Sequence, residues 1–151
     1  MFEGKTALVT GGSRGIGAAI VQRLGAAGAH VAINYAGSKE AAGTLAAGIV
    51  AAGGKAFAVQ ADVSTLAGIE SLFTACDAQF GGAPNLDFLI NNAGVGRGGR
   101  DGTLKGAGEE LYDELFAVNV KGPHFVTQAA LPRLRDGGRI VNIGSMSGKV
   151  G

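Results

Sequence analysis

The sequence predicts an α/β fold, a doubly wound parallel sheet with helices on both faces. Three observations predict it. Short apolar runs alternate with helix-length stretches, a glycine-rich turn joins the first run to the first helix, and glycine is abundant, at 28 of 151 residues. Strands separated by crossovers of helical length pair in parallel through right-handed connections. The runs are continuously apolar rather than alternating, as expected of strands covered on both faces.

Taken in order, Thr6-Ala7-Leu8-Val9-Thr10 is the first strand. The helix after it runs from Gly15 to Ala27, with Ile16, Ala19, Ile20, Arg23 and Leu24 on one stripe and Gly28 closing it. Val31-Ala32-Ile33-Asn34 is the second strand, and Ser38 caps a helix that Gly53-Gly54 ends. Ala56-Phe57-Ala58-Val59 is the third strand, followed by a helix from Leu66 to Phe80 capped by Ser64 or Thr65. Asp87-Phe88-Leu89-Ile90-Asn91 is the fourth and Arg139-Ile140-Val141-Asn142-Ile143 the fifth. One long helical region, from Gly108 to Leu134, is expected between them.

Composition narrows the function classes. With 46% hydrophobic and 17% charged residues, the chain is neither disordered nor a nucleic-acid tail. A net charge of +1 gives no reason to propose nucleic acid or an acidic membrane as partner. No apolar run approaches the roughly 20 residues needed to span a bilayer. The first strand begins too close to Met1 for a targeting peptide. Cys76 alone offers neither a disulfide nor metal-ligand spacing. A cytoplasmic protein of one domain is expected.

The turn Thr10-Gly11-Gly12-Ser13-Arg14-Gly15-Ile16-Gly17 lies between the first strand and the first helix. Glycines there allow a sharp turn, close approach of backbone to a pyrophosphate, and tight helix–sheet packing. The helix start then turns its unpaired N–H groups and positive dipole end toward the phosphates. An ordinary glycine-rich βα turn is the alternative.

Four motifs in order carry a resemblance. Thr10 through Gly17 resembles the cofactor loop of the short-chain dehydrogenase/reductase family, and Asn91-Asn92-Ala93-Gly94 its second signature. Asn119-Val120-Lys121-Gly122 and Ile140-Val141-Asn142-Ile143-Gly144-Ser145 are similar to its third and fourth. The likeness covers the whole chain and points toward 3-oxoacyl-carrier-protein reductases and related carbonyl reductases. It implies a Rossmann-type sheet in the order 3-2-1-4-5, with residues 1–151 forming a single dinucleotide-binding domain whose C-terminal part is missing. It also implies hydride transfer between a nicotinamide cofactor and a small carbonyl or alcohol substrate, and a homodimer or homotetramer for the complete protein.

The cofactor is expected to be NADP(H), with NAD(H) as the alternative. An acid at the end of the second strand would bind a ribose 2′-hydroxyl and repel a 2′-phosphate. Asn34, Tyr35 and Ser38 occupy that region without one, and Arg14 supplies a cation, unless it is only a solvated loop charge. Asp62 and Val63 follow the third strand. The resemblance implies that they contact the adenine, while a turn or cap before Ser64 is the rival role for Asp62. Asn91, Ala93 and Gly94 either bond backbone at a strand end or, by resemblance, steady the sheet and line the adenosine-ribose side.

Asn119 sits in an apolar helical stretch, four residues before Pro123. Proline has no N–H, so the Asn119 carbonyl loses its helical partner and a kink is expected. The resemblance implies that this asparagine holds a water of a proton relay. It implies that Ser145 binds the substrate carbonyl and stabilises charge on its oxygen, with Ser147 the nearby competitor. The family's tyrosine–lysine acid/base pair is not found. Tyr35 has Lys39 four residues on, but in the wrong register, and Tyr112 has no such lysine. Residues 1–151 alone are therefore expected to bind dinucleotide weakly and turn over little. A non-catalytic nucleotide-binding module is the competing function. A sugar-nucleotide epimerase fits the glycine spacing less well.

Overall fold

The computed structural model describes residues 1–96, 98–101, 103 and 105–145. Five parallel strands, β1 (Thr6–Val9), β2 (His30–Tyr35), β3 (Lys55–Gln60), β4 (Leu86–Asn91) and β5 (Leu134–Asn142), form one sheet in the order β3-β2-β1-β4-β5. This is the Rossmann-type order that the resemblance implies. The crossovers carry α1 (Gly15–Ala26), α2 (Lys39–Ala51), α3 (Leu66–Phe80), α4 (Glu109–Phe116) and α5 (Gly122–Ala130). Among the described residues, no helix is long and apolar enough to cross a membrane.

Alternation along β1 divides the core. Ala7 and Val9 face a cluster with Val21, Ala46 and Ile49 of α1 and α2. Leu8 faces the other way, among Leu72 and Phe73 of α3 and Val126 of α5. Burying such side chains is worth about 1.5–3 kcal/mol each, which makes the central strands the stable part of the sheet. The edge strands differ from the expectation of full coverage. β3 is exposed at Lys55, Ala58 and Gln60, and Val141 of β5 is 47% exposed.

Two helical expectations need correction. The stripe proposed for α1 is displaced: Gly17, Val21 and Gly25 are buried, whereas Ile16 is 64% exposed. The helix packs through its smallest residues, so it lies closer to its neighbours than a stripe of large side chains would allow. The region between β4 and β5 is also not one helix. A π-helical turn, Ala117–Lys121, separates α4 from α5, and Gly122 N–H reaches back to the Ala117 carbonyl. The missing N–H of Pro123 explains the change of pitch. β5 then begins five residues earlier than expected, at Leu134, because residues 135–138 bulge between the Leu86–Leu134 and Phe88–Arg139 pairings. Charge and paired glycines disguised that strand entry as a loop.

The bulge carries Arg135 to the amino end of the sheet. There buried Asp87 accepts from Lys5 Nζ at 2.9 Å, Thr6 N–H at 3.0 Å and Arg135 at 2.6 Å, joining β1, β4 and β5. Burial pushes the Asp87 carboxyl up, but these bonds outweigh it and hold the group below its ordinary range. Nearby, Arg133 donates through Nε to both oxygens of Asp77 at 3.0 Å, stacks over Phe73, and depresses the Asp77 carboxyl. Burial first, then Asp77, pushes the Cys76 thiol up to about 12, so it remains an uncharged core group.

Because the folded pKa of Asp87 is depressed, its contribution is present above its unfolded value and is lost as pH falls through the folded one. Asp87→Asn should cost about 2 kcal/mol at neutral pH, since it strips charge from partly buried bonds. The gap from wild type in urea midpoint should narrow toward pH 3. A gap of the same size at both pH values would contradict this account.

Candidate functional site

At the carboxyl end of the sheet the βα turns interlock. Thr10, 2% exposed, accepts through Oγ1 from the N–H groups of Asn92 and Ala93, both at 3.0 Å. In return, Asn92 Nδ2 donates to the carbonyls of Thr10 and Gly11, again at 3.0 Å. The approach admits no side chain at two glycines. A Cβ on Gly17 would lie 2.5 Å from Asn92 Nδ2, and one on Gly11, at φ 60°, would lie 2.8 Å from Ala93 Cα. Asn34 extends the lock to β2 and β3. Its Oδ1 accepts from Gly11 N–H at 3.3 Å, and its Nδ2 donates to Ala61 O at 3.0 Å.

A groove of about 370 Å³ opens beside this lock. Gly11, Ser13, Arg14, Ile16 and Gly17 line one wall, and Asn34, Tyr35 and Ser38 another. Asp62 and Val63 close it from β3, and Ala93 and Gly94 from β4. α1 starts at this groove with no side-chain cap and no acid in its first turn, leaving its leading N–H groups for a ligand. Exposed Arg14 is its N-cap residue. The unpaired donors at the start of α1, opening onto this groove, fit a pyrophosphate. Among the described residues, no cluster of three or more His, Cys, Asp or Glu offers a metal site.

Three residues expected at the cofactor stand elsewhere. Thr10 is enclosed within the lock, Gly15 does not line the groove, and Asn91 faces a second groove. Asp62 accepts from Ser64 N–H at 2.9 Å, which is the turn role, while still lining the cofactor groove. Thr65, not Ser64, caps α3 by accepting from Gly68 N–H. Sequence reasoning omitted Asn92 from the site, although it belongs to the quoted motif and holds the two turns together. Val118, brought to the groove by the π turn, had no sequence signal.

The second groove, of about 960 Å³, shares Asn92–Val95 with the first and brings Asn119 together with Ser145. Asn119 accepts from Val95 N–H at 2.9 Å and donates to Val95 O at 2.8 Å, so its side chain grips the rim between the grooves. Ser145 lines the far wall beyond β5. Ser147 lies outside the described residues. Neither tyrosine enters this groove: Tyr35 is buried along the cofactor groove, and Tyr112 is exposed on α4.

Comparison with known proteins accounts for this arrangement. Residues 5–151 match the model of the short chain dehydrogenase family. Elsinochrome reductase 1 of Elsinoe fawcettii is 44% identical over 148 residues, covering 98% of this chain and 53% of that protein. The structure of an angucycline C-6 ketoreductase with bound NADP superposes with a TM-score of 0.90 at 43% identity, covering 99% of this chain and 58% of the other. A short chain dehydrogenase of Burkholderia cenocepacia in complex with NADP also gives 0.90, at 44% identity, covering 99% and 59%. The chain thus spans about half the length of the curated relatives it matches. With a matching family model over nearly every residue and the interlocked glycine turns beneath it, the chain belongs to the short chain dehydrogenase family.

Proposed function

We propose that this chain is the dinucleotide-binding part of an NADP(H)-dependent oxidoreductase that interconverts a carbonyl and an alcohol, with NAD(H) as the weaker cofactor. The observation that carries the reading is the uncapped start of α1, opening with Arg14 onto a groove that has no carboxylate at the end of β2. The NADP in two similar structures supports it.

In this reading the backbone N–H groups at the start of α1, with Ser13, hold the pyrophosphate. Arg14 and Ser38 take the 2′-phosphate, and Asp62 with Val63 flanks the adenine. When bound, the dinucleotide supplies or accepts the hydride. Ser145 donates to the substrate oxygen and stabilises the charge developing there. Asn119 holds the rim at Val95, and its carbonyl, whose ordinary α-helical donor position falls on Pro123, orients a water. Among the described residues, no Asp, Glu, Lys or Arg lines the larger groove, which supports a neutral carbonyl compound as substrate. The stacked, exposed Tyr112 and Phe116 on α4 support self-association of the complete protein.

Titration of residues 1–151 with NADPH and NADH tests the cofactor assignment. NADPH should bind more tightly, and Arg14→Ala should weaken it about tenfold while changing NADH little. Equal affinities in wild type and variant would refute the assignment. Gly17→Ala should abolish binding of both nucleotides, because its Cβ collides with the lock; undiminished binding would refute that cradle. Residues 1–151 alone should show little ketone-dependent NADPH oxidation, since neither Tyr35 nor Tyr112 enters the larger groove, and robust turnover would overturn this reading of the groove.

A further inference from the structure

One buried amide joins three elements where β4, β5 and α5 meet. Asn91 is 6% exposed, and its Nδ2 donates to Thr127 Oγ1 at 3.0 Å and to Asn142 Oδ1 at 2.8 Å. Its carbonyl accepts from Ile143 N–H at 2.9 Å, so the pairing of β4 with β5 continues one residue past Asn142. The Oδ1 of Asn91 is buried with no hydrogen-bond partner. An unpaired buried oxygen is unfavourable, so this amide is better explained by what its nitrogen ties together than by its own stability. Beyond Ile143, a Cβ on Gly144 would touch nothing within 4 Å, and packing at that position does not hold the strand exit. Ser145 follows at once.

We propose that Thr127 and Asn142, joined through Asn91, are positioning residues for Ser145. They clamp the carboxyl end of β5 to α5 and thereby set where the serine hydroxyl enters the larger groove. The inference rests on the reading of Ser145 as the carbonyl-binding residue. Thr127 and Asn142 line the larger groove with Ser145 and stand apart from the cofactor groove. Their effect is therefore on the serine and not on dinucleotide binding. The hydroxyl of Thr127 carries the link, whereas its methyl group is replaceable.

Amide hydrogen exchange, followed by NMR on residues 1–151 without cofactor, tests the clamp. Thr127→Val keeps the side-chain shape and removes the acceptor; Thr127→Ser keeps the acceptor. Exchange at Ile143 and Ser145 should accelerate about fivefold in the valine variant, stay near wild type in the serine variant, and remain unchanged at Leu8 and Leu89 in both. Acceleration that includes Leu8 and Leu89, or none at Ile143, overturns the proposal. If the valine variant does not fold, Asn142→Ala, at an exposed position, is judged by the same pattern. A titration with cyclohexanone and NADP+ separates the two layers. No shift at the Ser145 amide in the wild type overturns the carbonyl reading. A shift with the same Kd in Thr127→Val overturns the positioning role.

Discussion

The fold's functional end depends on the contact between two backbone turns whose linking residues, Thr10 and Asn92, lie 82 residues apart in sequence. Thr10 and Asn92 exchange hydrogen bonds through side chain and main chain alike. Neither turn has this shape by itself. The start of α1 can face a ligand only because the chain beneath it is pinned to the end of β4, and the pinning requires hydrogen in place of a side chain at Gly11 and Gly17. Close approach serves two purposes here. It satisfies buried backbone groups that would otherwise be unfavourable, and it leaves the leading N–H groups of α1 for an anion.

The two ends of the sheet are chemically opposite. Asp87, Lys5, Arg135, Asp77 and Arg133 gather at the amino end, where ion pairs bind strands and helices together. The carboxyl end relies on amides and hydroxyls: Thr10, Asn34, Asn91, Asn92, Asn119 and Asn142. Neutral donors and acceptors suit a site that must host a charged ligand, since fixed carboxylates would repel it and fixed ion pairs would compete for it. Among the described residues, Arg14 is then the one cation along the walls of the cofactor groove, where its field is opposed by no acid except Asp62.

Much of this was legible in the sequence, and the reasons differ by element. β1, β2 and β4 are buried on both faces, so their apolar runs gave them away; helix-length crossovers implied parallel pairing, and the order of the strands came from the family resemblance. The cofactor groove was legible because close backbone approach demands glycine at fixed spacing. The stripe of α1 was misjudged because periodicity weighs large side chains, while this helix packs through Gly17, Val21 and Gly25. β5 was misplaced because its first half bulges, and a bulge breaks the pattern of a strand. Thr127 had no local signal. Its partner Asn91 is 36 residues away, and only the pairing of β4 with β5 brings the third member, Asn142, to the same point.

The π turn shows how a single backbone defect is given a use. Pro123 removes one N–H from an apolar helical run, and that loss alone would only weaken the helix. Here the chain widens its pitch over Ala117–Lys121, and two residues of the widened turn reach different grooves. Val118 lines the cofactor groove, while Asn119 turns its amide onto both polar groups of Val95. A regular helix advances about 100° per residue, and an extra residue in the turn rotates everything after it. The face that α5 presents to β4, including Thr127, therefore depends on that rotation. The rim at Val95 and the clamp at Asn91 both follow from the change in pitch that Pro123 brings about.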